Sequence, residues 1–150
     1  MNQPDKIIQE TELRIRPFAE QDRAEVTALW EEAFADDPPW NAPQAVIGRK
    51  LTVQPQLFLV GELEGKVVAT VLAGFDGMRG WIHHLAVVPS LRRRGIATQM
   101  MREAESGLAK LGCPKVNLQV RPTNANVVAF YQSIGYQVEE RVSMGKRLKS

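Results

Sequence analysis

The sequence predicts a mixed α/β chain (α+β) built around one mostly antiparallel sheet, and three observations predict it. Short alternating apolar runs joined by tight turns fill the middle of the chain, as in Leu57–Glu62, Glu64-Gly65 and Lys66–Phe75. Longer stretches place apolar residues every three or four positions, as at Val26, Leu29, Trp30, Ala33 and Phe34. In the second half a strand, a long helix and another strand follow one another, which reads as a βαβ crossover. The predicted order is β-α-α-β-β-β-α-β-α-β-β, about seven strands and about four helices.

Each element has its own signal. Leu13, Ile15 and Pro17 alternate with Arg14 and Arg16, giving a first strand with one buried face. A helix follows over 19–34 and is broken by Asp36-Asp37-Pro38-Pro39. A shorter helix over 43–53 turns Val46, Ile47 and Leu51 inward. The strands over 57–62 and 66–75 are joined at Glu64-Gly65, and Asp76-Gly77 marks a second hairpin before a strand over 81–88. A long helix carries Ile96, Met100, Ala104, Leu108 and Leu111 on one stripe, with Gly112 placed to end it and Pro114 just beyond. Val116, Leu118 and Val120 alternate as a strand. Asn124 is placed to cap a short helix that Gly135 closes, and residues 136–148 read as a final pair of strands.

With 150 residues the chain reads as one domain, 13–150, behind a flexible N-terminal arm, 1–12. A hydrophobic fraction of 44% and a charged fraction of 24% are those of an ordinary globular protein. The net charge of +2 is too small to imply a nucleic-acid partner. No apolar run approaches the ~20 residues that span a bilayer, and the polar first residues do not read as a signal peptide. The lone Cys113 excludes an internal disulfide framework and fits a reducing cytoplasm, the expected location. With His83 and His84 it makes no metal set, because no fourth ligand stands at a familiar spacing.

The most telling stretch is Arg92-Arg93-Arg94-Gly95-Ile96-Ala97, between an apolar strand and an amphipathic helix. The first N–H groups of a helix have no partner within it and carry the positive end of its dipole. Three basic side chains, a glycine that lets the backbone come close, and a small residue make a place for phosphate. By itself the run also reads as a solvated turn.

In this setting the chain resembles the GNAT superfamily of acetyl-CoA-dependent N-acetyltransferases. The family's pyrophosphate motif is matched by Arg92, Gly95 and Ala97, and its preceding strand by Leu85-Ala86-Val87-Val88-Pro89. Its downstream motif is matched by Val120-Arg121-Pro122-Thr123-Asn124 and by Phe130-Tyr131-Gln132-Ser133-Ile134-Gly135-Tyr136. The wording around Gly74, Gly112 and Ser143 is similar to that of the bacterial YpeA-type subgroup. The resemblance implies a GNAT-like sheet whose fourth and fifth strands splay apart, with the pantetheine arm of acetyl-CoA in the gap against Leu85, Ala86 and Val87. It places the pyrophosphate at Arg92, Arg93, Arg94, Gly95, Ile96, Ala97 and Thr98, and gives Asn124 a bond to the arm beside its capping role.

The reaction so implied is attack of a neutral amine on a thioester carbonyl in a ternary complex. The amine must lose a proton, the tetrahedral intermediate needs an N–H donor, and the leaving thiolate needs an acid. By resemblance Tyr131, which also binds cofactor, is the general acid; the alternative is a core aromatic. Where many members carry a Glu on the fifth strand, this chain has Gln119, which is no base. His83 is the candidate base or water-relay residue and His84 the weaker one, on opposite faces by strand alternation. Asp37 and Trp40 are candidates for holding an ammonium group, by charge and by cation–π contact, against the alternative of a helix terminator with a packed tryptophan.

The expected acceptor is a small amine or amino-acid-like molecule. A protein N-terminus or lysine is a second reading, and a non-catalytic acyl-CoA sensor a third, from another class. Acetyl-CoA is the expected cosubstrate, without metal, nucleic acid or membrane, and a homodimer is left open.

Overall fold

The computed structural model describes residues 6–148. The chain divides into two units, Met1–Leu118 and Gln119–Ser150.

The first unit carries a five-stranded sheet in the order β1-β2-β3-β4-β5. Its strands are β1 (Leu13–Pro17), β2 (Phe58–Leu63), β3 (Lys66–Phe75), β4 (Gly80–Val87) and β5 (Val116–Asn117). The first four pair antiparallel with their neighbours, and β4 pairs with β5 in parallel. The β2–β3 turn has Glu64 and Gly65 both at positive φ, 51° and 80°, as a two-residue hairpin of the twisted kind requires. At the β3–β4 turn the Asp76 carboxylate accepts the N–H groups of Met78 and Arg79.

Helices α1 (Arg23–Ala33) and α2 (Pro43–Lys50) cover one face of this sheet. Val26, Leu29, Trp30, Val46 and Ile47 bury themselves there against Phe58, Val60, Leu72 and Ala86. Helix α3 (Ile96–Lys110) covers the other face with Ile96, Met100, Met101, Ala104 and Leu108. Gly61 shows the alternation directly. Its neighbour Val60 belongs to the α1 side, and a Cβ on Gly61 would stand 2.9 Å from Met100 Sδ. The expected end of α3 is realised: Gly112 sits at φ 85°, its N–H bonds Ala109 O, and Cys113 N–H bonds Leu108 O.

Helix α1 starts later than its apolar spacing suggested. Asp22 accepts from Ala19 N–H and from Arg16, which holds residues 20–22 in a 3-10 turn first. Of the segment read as an arm, the described residues 6–12 run beside α3. Ile8 is 3% exposed, its N–H bonds Arg94 O, and its carbonyl accepts from Gln99 Nε2.

The second unit contains α4 (Ala125–Ser133), closed as expected by Gly135 at φ 103°, with Tyr136 N–H on Tyr131 O. Here the strand expectations need correcting. The sheet has five strands, not about seven, and no strand forms over 136–148. Val138, Val142, Met144 and Leu148 alternate with polar residues but lie 71–90% exposed. Alternation specifies a strand only where a face exists to bury it and an edge exists to pair with. Asn124 precedes α4, yet its side chain makes no capping bond.

Candidate active site

The centre of the site is an irregularity in β4. Thr70 pairs with Ala86 but Leu72 pairs with His83, so His84 and Leu85 together oppose Val71. This is a β-bulge, and His84 takes it up at φ 51°, in the left-handed region. Thr70 fastens it: its Oγ1 donates to the His84 carbonyl at 2.9 Å and accepts from Trp30 Nε1 at 2.8 Å. Thr70 is fully buried, and it is the one polar residue in a run of apolar positions on β3.

The bulge overturns the expectation that the two histidines lie on opposite faces. The extra residue cancels one step of alternation, and both rings turn to the α1–α2 side. The His84 ring stands 4.7 Å from both the Trp30 and the Phe34 rings. His83 lies opposite Leu72, which belongs to the α1–α2 core. Burial pushes His84 down to about 4, opposed by the charge of Asp37 and assisted by that of His83. His83 is exposed on its outer side but crowded beneath. That desolvation, and then the Lys50 charge, lower it from the ordinary histidine value. Both rings are therefore neutral near pH 7, one wedged between aromatics and one open to solvent.

On its other edge β4 is paired only at its start. Its ladder with β5 covers only Gly80–Val116 and Trp81–Asn117. From Ile82 to Val87 no strand among the described residues pairs on that side. Val88 N–H bonds Val68 O. Alternation then turns Ala86 toward β3 and the N–H and C=O groups of Leu85 and Val87 toward the open edge.

The same strand runs into the arginine turn. Arg93 and Gly95 both have positive φ, 65° and 83°, on either side of Arg94. Successive residues of this kind make a backbone concavity suited to anions. The first intrahelical bond of α3 is Gln99 N–H to Gly95 O, which leaves the N–H groups of Ile96, Ala97 and Thr98 ahead of it. Arg92 and Arg93 are exposed and make no ion pair among the described residues, while Arg94 Nε bonds Lys6 O at 2.8 Å.

Between α1 and α2, Asp37 is half-buried, and its charge acts on His84 against the shift that burial causes. Trp40 is 45% exposed, and its carbonyl is held by Arg49 Nη2 at 2.8 Å.

In the second unit, Tyr131 is 9% exposed and packs edge-on to Phe130 and Tyr136. Burial pushes its phenol up to about 12, so it keeps its proton throughout the physiological range. Gln119 Nε2 donates to Ser143 Oγ at 2.7 Å. Among the described residues no cluster of three or more metal-ligating side chains occurs, and no helix is long and apolar enough to cross a membrane.

A sheet strand bulged at His84, unpaired beyond Trp81 among the described residues, runs into a helix start whose first N–H groups have no intrahelical partner. The chain matches the Acetyltransferase (GNAT) family over residues 15–136 and belongs to that family. It is an acyltransferase, and GNAT acetyltransferases use acetyl-CoA. It is 40% identical over 136 residues to "Acetyltransferase YE1169" of Yersinia enterocolitica, covering 91% of this chain and 96% of the relative. It is 42% identical over 137 residues to "Acetyltransferase SG1711" of Sodalis glossinidius, with the same coverages.

Among solved structures, Ard1 from Thermoplasma volcanium superposes with a TM-score of 0.77 at 23% identity, covering 85% of this chain and 84% of its own. AAC(6')-Iy, solved with the bisubstrate analogue CoA-S-monomethyl-acetylneamine, gives 0.76 at 18% identity, covering 91% and 99%. At these identities the likeness shows the fold.

Sequence reasoning missed three residues of this face. The Thr70–Trp30 pair had a signal, a lone hydroxyl inside an apolar strand and an indole on an apolar stripe, both needing a polar partner. Lys50 had none, because its spacing on α2 does not tell that its tip reaches back over the sheet.

Proposed function

We propose that the protein transfers the acetyl group of acetyl-CoA directly to a primary amine, in a ternary complex. The observation that carries this reading is the β4 bulge together with the edge left unpaired, among the described residues, at Leu85 and Val87. A pantetheine arm is a short chain of amides, and an unpaired strand edge is its natural partner. The backbone N–H groups at Leu85–Val87 then serve the oxyanion of the tetrahedral intermediate. The pyrophosphate takes the N–H groups from Arg94 to Thr98, with Arg92 and Arg93 adding charge-assisted bonds.

His83 is the base or the relay for it. It is neutral and open to solvent, whereas His84 is fixed between Trp30 and Phe34 and has a structural role. The amine loses its proton through His83, its lone pair attacks the thioester carbon, and the C–S bond breaks as Tyr131 protonates the sulfur. The family motif supports this role for Tyr131, and the raised pKa of its phenol means the proton is there to give. Asn124 adds a bond to the pantetheine arm, and Asp37 attracts the incoming ammonium. The acceptor is a small amine or amino-acid-like molecule.

The test is thiol release from acetyl-CoA in the presence of amines, amino acids, polyamines and peptides with free N-termini. Stoichiometric release with a small-molecule acceptor is expected. Release only with peptides would move the acceptor to proteins. Tight CoA binding with no release from any of them would overturn catalysis in favour of a sensor.

A further inference from the structure

Lys50 closes α2 and lays its side chain back over β3. Its Nζ donates to the Ala73 carbonyl at 2.5 Å, which uses one of its three protons. The neighbouring position is Gly74, where a Cβ would stand 3.7 Å from Nζ and 3.6 Å from Gln54 Oε1; glycine leaves that space open. Gly74 pairs with Trp81 and Leu72 with His83, so the ammonium lies on the same face of the sheet as the His83 ring. His83 feels its charge.

Arg16 and Arg23 each hold acids, but among the described residues no carboxylate lies within ion-pair distance of Lys50. Burial draws its ammonium down to about 8, with no acid to oppose the shift. A half-buried cation without an anion is unfavourable. It becomes favourable when an anion arrives.

We propose that Lys50 binds a carboxylate on the acetyl acceptor, so that the acceptors are amines bearing a carboxylate, with amino acids as the simplest class. This rests on the acetyl-transfer reading above. The same face then offers both halves of a zwitterion their partners. The charge of Asp37, which reaches His84, attracts the ammonium end, and Lys50, on the face of His83, binds the carboxylate. Lys50 takes no part in bond making; it is a specificity residue that sets which amine reaches His83.

The experiment pairs each amino acid with its amide as acceptor, for the wild type, Lys50→Met and Lys50→Arg. In the wild type the acids should be preferred. Lys50→Met should raise KM for the acids about tenfold or more while changing kcat less, and should change KM for the amides by much less than for the acids. Lys50→Arg should restore much of the preference, which a merely structural lysine would not require. Amides used as well as acids by the wild type, or an equal loss on both in Lys50→Met, overturns the proposal.

A second measurement stands apart from turnover. The CoA-bound protein is titrated with N-acetylglycine or N-acetylglycinamide while the His83 ring resonances are followed. The acid should shift them in the wild type and not in Lys50→Met, and the amide in neither. Equal shifts from both probes, or none from either, overturn it. Thiol release with neutral amines alone removes the carboxylate site and leaves acetyl transfer standing. Shifts with the acid but no thiol release from any acceptor do the reverse.

Discussion

Thr70 Oγ1 donates to the carbonyl of His84 at 2.9 Å, and the residue it holds is the one at positive φ in the β4 bulge. A histidine in the left-handed region is strained by about 1 kcal/mol or more and persists only where its surroundings insist on it. Thr70 supplies that insistence through a relay, since Trp30 Nε1 donates to the same hydroxyl. Thr70→Val keeps the shape and removes the hydroxyl, leaving a buried indole N–H and a carbonyl without it. The expected cost is about 2–3 kcal/mol in a urea melt, with a fall in kcat as Leu85 loses its aim. Thr70→Ser should keep most of both. Full activity in Thr70→Val would separate the bulge from catalysis.

Lys50→Met should raise the melting temperature even as it harms the use of acidic acceptors. The native side chain holds a charge half out of water with only a neutral carbonyl for company. A gain of up to about 1 kcal/mol is the size seen when a functional charge is exchanged for an apolar chain. A destabilised variant would mean that the ammonium's bond to Ala73 fixes α2 to the sheet.

How much of this was legible in the sequence divides along physical lines. Helices with an apolar stripe and a glycine stop, as at Gly112 and Gly135, depend on local chemistry and came out as expected. The arginine turn and the hairpin at Glu64-Gly65 are local in the same sense. The bulge was not legible, because a strand's phase is set by its partner: Val71 faces two residues only because Thr70 and Leu72 have fixed their own pairs. For the same reason the alternating residues after Tyr136 looked like strands and form none. The nearness of Lys50 to His83 depends on how α2 lies across the sheet, which spacing alone does not encode.

Tyr131→Phe removes one oxygen from a ring that stays packed on Phe130 and Tyr136. If that oxygen protonates the leaving thiolate, kcat should drop by about 10²-fold with KM for acetyl-CoA nearly unchanged. Its phenol bonds no other described residue, so stability should hold, and a thermal melt within a degree or two of wild type is the control. Unchanged turnover with a good acceptor would assign Tyr131 to packing alone.

Asp22 is held by both nitrogens of the Arg16 fork, at 2.7 and 2.9 Å, with its side chain 3% exposed. Arg16 also bonds Glu62 on β2, so one guanidinium ties β1, the turn before α1, and β2 together. Asp22→Ala leaves that charge with Glu62 as its one acidic partner among the described residues and frees Ala19 N–H; a loss of about 3 kcal/mol is expected by denaturant unfolding. The Arg16 bonds hold the Asp22 carboxyl below its ordinary value. Its contribution is therefore present above the ordinary carboxylate value and is lost as pH falls through the lowered one.

The two histidines should separate in their pH dependence. Burial holds folded His84 at about 4, against an ordinary 6.5 in the unfolded chain. As pH falls, the unfolded chain takes up its proton first. Stability is therefore full above the ordinary value and declines between 6.5 and about 4, after which this group adds no further loss. His84→Asn tolerates positive φ and does not titrate, so it should flatten that part of a stability–pH curve. His83 is also lowered, and as the base it should place the acid limb of kcat/KM below the ordinary histidine value. His83→Ala should abolish that limb and leave the stability curve's decline in place. If His84→Asn instead removes the limb from kcat/KM, the wedged ring rather than the open one carries the proton.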